Sequence, residues 1–377
     1  MKIAIVHNLP PGGQKRALSE QVKRLSKRHK LDLFTLSSTD ESFCSLLPYI
    51  QKHKTAFYNP PPHFPRSVIS IYKDLPKSYR KLSEMINAGN YDLVYVNPCY
   101  LTQAPYVLRY LKIPSIYYCP EPKREFYEKV SHVSNKLSYS LTLPFRLPIK
   151  TIDRTNARHA TKILTNSYYS KEKIDQIYGV VSLVNYLGVE TTAFKPAKMK
   201  KENLVLTVGE FSLHKGHDFI IKSLAKITKT DRPGLVIIGH EGIEKKYLRR
   251  LAKQREVKVD FLENISDTDL IGWYNRARAF VYAGIREPFG MCLLEAASCG
   301  LPITAVKEGA VLEIIDSAKI GLLSERDEVK FAHIVQKVLA HSLTDKDKEE
   351  IHEYIRKKWN WEKSVAELEK HFLSVIR

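Results

Sequence analysis

The chain is short of several things that would assign it to a class at once. It has only five cysteines in 377 residues, Cys44, Cys99, Cys119, Cys292 and Cys299. They are odd in number and scattered, with no CxxC pair and no histidine cluster beside them. That pattern excludes a disulfide framework and a zinc site, and reduced thiols in a cytoplasmic protein are expected. Long hydrophobic runs are missing too. The longest uncharged stretch, Leu93 to Leu108, spans 16 residues and contains Asn97, Pro98, Gln103 and Pro105, so it is no membrane span. The opening MKIAIVHNLPPGG turns polar at His7-Asn8, too early for the apolar core of an export signal, and none is expected. No zinc-finger spacing, RNP-like aromatic run or continuous basic helix is present, which argues against nucleic acid as a partner. Glycine is scarce, at 16 residues, so each position carries information about the backbone.

What remains is globular in character. The hydrophobic fraction is 44% and the charged fraction 27%, ordinary values for a folded protein. The length favours two domains. Lys and Arg number 60 against 41 Asp and Glu, a net charge of +19. Residues 1–190 hold 28 of the basic and 14 of the acidic residues, and thus most of the excess. A basic half of this kind suits an anionic membrane surface or a phosphorylated substrate; it is also what a plain solvated face looks like.

Strands and helices alternate. Lys2–His7, Leu31–Leu36, Asp92–Val96, Pro114–Cys119 and Lys162–Thr165 read as strands. Helical stretches at Gln14–His29, at Tyr100–Leu111 and from Ser170 separate some of them. A polar, basic stretch, Phe194–Lys201, looks like a linker. Alternation then restarts with strands at Leu204–Val208, Gly234–Gly239, Val257–Leu262, Ala279–Ala283, Pro302–Val306 and Gly321–Leu323, and the tail from Asp345 is helical. Two doubly wound parallel α/β sheets follow, with ligands expected at the carboxyl ends of the strands. Two segments stand apart. Asn59–Pro65, with four prolines, reads as an irregular loop. Residues 123–150 mix Lys and Arg with Phe126, Tyr127, Tyr139, Leu141, Leu143, Phe145 and Leu147, which fits either contact with an anionic bilayer or an ordinary packed helix and loop.

The residues able to do chemistry sit after strand ends. Glu287-Pro-Phe-Gly290-Met291-Cys292-Leu293-Leu-Glu295 follows one strand and opens a helix, whose first amides suit a phosphate. Glu295 is placed one or two turns into that helix to accept from vicinal sugar hydroxyls. Val208-Gly209-Glu210-Phe-Ser-Leu-His-Lys215-Gly216 follows another strand, and Lys215 can meet a diphosphate as a point charge. Pro10-Pro11-Gly12-Gly13 follows the first strand; it is not GxGxxG, so the dinucleotide fingerprint is absent, and a plain turn fits it as well as a ligand loop.

With these residues in place the chain resembles glycosyltransferase family 4, the group 1, retaining, nucleotide-sugar-dependent enzymes of the GT-B fold. The ordered carriers are Gly12-Gly13, Tyr117-Tyr118-Cys119-Pro120-Glu121-Pro122, Thr165-Asn166-Ser167, Tyr186-Leu187-Gly188-Val189, Lys215-Gly216, Glu287 with Glu295, Gly309 to Glu313, and Gly321-Leu322-Leu323. The resemblance implies two Rossmann-like domains facing a central cleft. Residues 1–190 would take the acceptor and residues 191–359 the nucleotide sugar, with a C-terminal helix over about 360–377 crossing back onto the first domain. It implies that Glu287 faces the donor sugar hydroxyls, Glu295 the ribose and Lys215 the diphosphate. Gly290, Met291, Cys292 and Leu293 would offer amides. Gly12 and Gly13 would lie under the diphosphate, and the loops at His240 to Gly242 and Glu263 to Ile265 around the base. No cofactor and no metal is implied, because cations and amides neutralise the diphosphate.

Two departures stand out. Glu210 occupies the place of the family's diphosphate arginine, with the opposite sign. Pro120 occupies the place of a family histidine, leaving Glu121 or Arg124 to orient the acceptor. The expected activity is transfer of a sugar to a glycan or lipid-linked acceptor at the cytoplasmic side of a membrane. The alternative is a degenerate, non-catalytic partner protein.

Overall fold

A computed structural model describes residues 1–128, 136–240, 242 and 244–376. Its chain divides into two units, residues 1–187 with 361–377, and residues 188–360.

The first unit is built on a seven-stranded parallel sheet. Its strands are β1 (Lys2–Asn8), β2 (Lys30–Leu36), β3 (Lys52–Ala56), β4 (Leu93–Cys99), β5 (Ser115–Tyr118), β6 (Lys162–Thr165) and β7 (Leu183–Val184). The order across the sheet is β3-β2-β1-β4-β5-β6-β7. The inner strands are buried on both faces, as β4 is along its whole length, because helices cover both sides of such a sheet. These helices are α1 (Gly13–Leu25), α2 (Arg66–Asn87), α3 (Lys136–Ala157) and α4 (Tyr168–Tyr178). Ser167 caps α4 by accepting from the Ser170 amide at 3.0 Å, and Gly179 closes it in the left-handed region.

The first unit is completed from the far end of the chain. Helix α12 (Trp361–Ile376) buries Trp361, Val365, Leu368 and Phe372, a stripe at helical spacing. Phe372 packs edge-on against Tyr95 of β4 at 5.3 Å. Glu362 pairs with Arg24 of α1 at 3.0 Å, and Glu369 with His29 at 2.7 Å. The Ser364 hydroxyl donates to the Tyr186 carbonyl at 2.6 Å.

The second unit carries a six-stranded parallel sheet of β8 (Leu204–Val208), β9 (Gly234–Gly239), β10 (Val259–Glu263), β11 (Ala279–Tyr282), β12 (Ile303–Val306) and β13 (Gly321–Ser324). The order is β10-β9-β8-β11-β12-β13. Its helices are α5 (His217–Leu224), α6 (Lys245–Gln254), α7 (Asp267–Arg276), α8 (Met291–Ser298), α9 (Val311–Ile314), α10 (Glu328–Ala340) and α11 (Asp345–Lys358). Side-chain caps start three of them: Ser266 on α7, Asp327 on α10, and Thr344 with Asp347 as a reciprocal capping box on α11.

Three expectations change. The stretch Tyr100–Leu111 holds only a 3-10 turn at Tyr106–Arg109, since Pro105 and a left-handed Gln103 interrupt it. The first helix ends at Leu25 rather than His29. Phe194–Lys201 is no free linker: Phe194 is buried, the Ala197 amide donates to Asn275 at 2.8 Å, and the segment belongs to the second unit.

Candidate functional site

The winding of the second sheet reverses between β8 and β11, and open α/β sheets bind ligands at the carboxyl ends flanking such a switch. Both of the chemistry-bearing loops leave the sheet there. After β8 the chain makes a 3-10 turn at Leu213–Lys215 and passes through Gly216 at φ 66°. A Cβ on Gly216 would stand 2.1 Å from the Ala283 carbonyl oxygen, so only glycine lets the two loops touch. The Ile285 amide then donates to the His214 carbonyl at 2.7 Å. Across this seam the Lys215 ammonium donates to Glu287 Oε2 at 2.9 Å. Neither side chain is deeply buried, with Lys215 27% and Glu287 14% exposed.

Gly290, at φ 92°, opens α8 with no side-chain cap. Met291 and Cys292 are half-buried and Leu293 is buried. Burial pushes the Cys292 thiol far above its ordinary range, which disfavours the thiolate. Glu295 lies one turn into α8, 7% exposed, and accepts the Tyr274 hydroxyl at 2.8 Å. Burial raises the Tyr274 phenol well above its usual value, which keeps it a donor that aims the carboxylate.

Glu287 is gripped through its backbone. Its carbonyl accepts from the Ala310 amide at 2.9 Å. Gly309, at φ 62°, lies so close that a Cβ there would be 2.4 Å from the Glu287 carbonyl oxygen. His217 is fully buried at the start of α5, and its Nε2 lies 3.0 Å from the Glu210 carbonyl and 3.3 Å from that of Gly209. Both partners are acceptors, so Nε2 carries the proton. Desolvation lowers its pKa to about 4 and keeps the ring neutral. The Glu210 side chain is exposed, while its carbonyl holds His217. His240 is exposed after β9, and Ile265 is half-buried after β10. Glu263 pairs with Lys245. Glu241, in the expected base loop, lies outside the described residues.

Gly12, at φ 150°, precedes α1, and nothing lies within 4 Å of a Cβ on Gly12 or Gly13. Beneath this turn His7, Lys15 and Glu41 form one cluster. His7 Nε2 is 2.8 Å from Glu41 Oε1 and 3.1 Å from the Lys15 ammonium, which also pairs with Glu41. Desolvation lowers His7 to about 4 and lowers Lys15, while its partners hold Glu41 at about 2. Arg124 is engaged by Glu128 at 2.9 Å and Glu121 at 3.7 Å. Buried Asp153 of α3 accepts from Tyr178, from the Ala104 amide at 3.0 Å and from the Lys123 amide at 3.3 Å. Sequence reading missed His217, Tyr274, Asp153 and the Lys15 cluster. Their neighbours in space are far away in sequence, and no local spacing announces them.

Of the basic-aromatic segment 123–150, residues 129–135 and the side chains of 136–139 lie outside the description. Beyond them α3 exposes Leu141, Phe145 and Leu147. Phe64 meets Phe145 edge-on at 5.3 Å, and Tyr72 of α2 donates to the Phe145 carbonyl. Arg146 pairs with Glu125, and Lys150 lies 4.8 Å from the Tyr127 ring centre. Exposed basic side chains stand on both helices, Lys150 and Arg154 on α3, and Arg66, Lys73 and Lys77 on α2 beside exposed Ile69.

Among the described residues no His, Cys, Asp and Glu side chains form a group of three able to hold a metal ion. No described helix is long and apolar enough to cross a membrane.

Residues 189–358 match the model of the family described as glycosyl transferases group 1. Human alpha-1,3/1,6-mannosyltransferase ALG2 is 26% identical over 223 residues, covering 52% of this chain and 54% of the relative. The chain spans about half the length of the curated relatives it matches. Among solved structures, sucrose-phosphate synthase from Thermosynechococcus elongatus superposes with a TM-score of 0.77 at 18% identity, covering 99% of this chain and 98% of that one. Anabaena HepE, solved in complex with UDP and glucose, superposes with a TM-score of 0.76 at 17% identity, covering 99% of this chain and 100% of that one. The fold is that of the GT-B enzymes.

Proposed function

On the premise that residues 189–358 form a group 1 glycosyltransferase module, we propose that the protein is a retaining glycosyltransferase. It moves a sugar from a nucleotide-diphosphate sugar to a glycan or lipid-linked acceptor without a metal. The observation that carries this reading is the Lys215–Glu287 pair, set at the switch point of the sheet inside the matched module. Anabaena HepE, of like fold, was solved with UDP and glucose.

A doubly charged diphosphate outcompetes one carboxylate for the Lys215 ammonium. Glu287 is then released to accept from the donor sugar's hydroxyls. Glu295, steadied by Tyr274, accepts from the ribose. The amides at the start of α8 face the phosphates, where the helix dipole favours negative charge. The sugar–phosphate bond breaks, and the electron pair stays on the phosphate, neutralised by Lys215 and these amides. The acceptor hydroxyl bonds to the anomeric carbon on the same face and passes its proton to the departing phosphate oxygen. Glu121 and Arg124 orient the acceptor. The exposed apolar and basic side chains of α2 and α3 bring the first unit to an anionic membrane surface on the cytoplasmic side.

The test is thermal shift against UDP, GDP, ADP and their sugar forms. A ligand that binds only the native state raises the melting temperature by mass action. A shift with one base names the donor class. No shift with any of them overturns the reading and points to the non-catalytic alternative, with Glu210 as its cause.

A further inference from the structure

Arg326 stands behind the Glu287 loop, between the end of β13 and Asp327, the cap of α10. Its Nε donates to Glu308 Oε1 at 2.6 Å and its Nη2 to Glu308 Oε2 at 2.9 Å, the two-pronged geometry that only arginine offers a carboxylate. The same Nη2 lies 3.0 Å from the Ala283 carbonyl and 3.3 Å from that of Gly284. The guanidinium sits 5.3 Å from the ring centre of Phe219 on α5. One side chain therefore joins the end of β11 to the turn that follows β12.

Both places it holds are ones that locate Glu287. The turn carrying Glu308 continues into Gly309 and Ala310, which close on the Glu287 backbone. The Ala283 carbonyl is the one against which Gly216 packs, next to Lys215. Between these two points residues 283–290 have no helix or strand to hold them. Arg286, one residue before Glu287, sits at φ 49°. That conformation is strained for a side-chain-bearing residue and persists only where the surroundings over-determine it. The clamp formed by Arg326 and Glu308 supplies that constraint.

We propose that Arg326, acting through Glu308 and the Ala283–Gly284 carbonyls, is a positioning residue that sets the Glu287 carboxylate opposite Lys215. The proposal rests on the donor-site reading above. It assigns to Arg326 no contact with the substrate. A lysine cannot replace it, because an ammonium cannot serve the carboxylate fork and two carbonyls together.

The experiment compares wild type with R326Q, R326K, R326A and E308Q. In R326Q and E308Q, kcat for transfer should fall about 10- to 100-fold, the scale of a catalytic group misplaced by an ångström. Affinity for the nucleoside diphosphate should stay within about threefold, because Glu295 and α8 are untouched. R326K should recover only part of the loss, and millimolar guanidinium ion should restore R326A. R326Q/E287A should be no slower than E287A alone. Hydrogen exchange at the Ile285 and Ala310 amides should quicken in R326Q, a readout that needs no activity. Unchanged kcat in well-folded R326Q and E308Q overturns the proposal, as does unchanged exchange at those amides. If wild type binds no nucleoside diphosphate, the donor reading fails, while the exchange measurement still decides whether the clamp exists.

Discussion

Both sheets run in one order, with the third, second, first and fourth strands side by side and later ones following. Each reverses its winding between its first and fourth strands. At the first switch point the charges are sealed in. Lys15 is 1% exposed and His7 fully buried, and Glu41 answers both. At the second, Lys215 and Glu287 face each other half-open. The same topology therefore serves two ends. A sealed ion pair has no capacity left for a ligand, so it stiffens the turn above it. A half-open pair exchanges partners when a stronger anion arrives.

The largest effect that separates the two should be on stability. Lys15→Met leaves the half-buried Glu41 without its ammonium and should cost about 1–3 kcal/mol, read as a lowered unfolding midpoint in denaturant. The double variant Lys15→Met/Glu41→Leu should recover most of that loss, since removing both partners spares the stranded charge. Lys215→Ala should do the opposite. Its half-open pair is worth about 0–1 kcal/mol of stability, while turnover should drop about 10²- to 10³-fold. If Lys215→Ala melts the protein and leaves turnover alone, the contrast between the two sites collapses.

A smaller effect tests the surfaces rather than the switch points. Ile69→Ser with Phe145→Ser should weaken binding of the protein to vesicles rich in anionic lipid about tenfold, on the scale of two side chains each partly buried in the interface. Unaltered co-sedimentation would remove α2 and α3 from the membrane reading.

The smallest effect is a slope. His7 and His217 are both held at about 4, below their unfolded value of 6.5. Each unit thus loses stability as pH falls from about 6.5 to 4, where the unfolded chain binds more protons. Asp153 works the other way in the first unit. Desolvation raises it from 3.8 to about 7, so its burial cost is relieved over nearly the same range. Asp153→Asn should therefore steepen the acid loss of the first unit and leave the second unchanged, as limited proteolysis at pH 7.5 and pH 5 would report.

Much of this was legible along the chain where function is local. The strands around β8 and β11 are short apolar runs ending in glycine, and the spacing from Glu287 to Glu295 survives as a loop feeding a helix. Legibility failed where partners are distant. Helix α2 carries Pro76 inside it and follows a proline-rich loop, so its 22 residues offered no clean start. Strand β3 is mostly polar because it lies at the sheet edge, with most of its side chains in water. Arg326 looks like one surface arginine among many until Glu308 and Ala283 are brought to it. The Lys15 cluster joins positions 7, 15 and 41, and no periodicity links them.

Helix α12 gives the fold a timetable. Tyr95, α1 and the start of β6 wait for a helix that is synthesised after the whole of the second unit. The second unit lies wholly between, so it leaves the ribosome with all of its strands and can close while the first is still unfinished. A stop codon within α12 would thus wound the half of the protein made first. Newborn chains would expose the groove that Phe372 fills until α12 arrives.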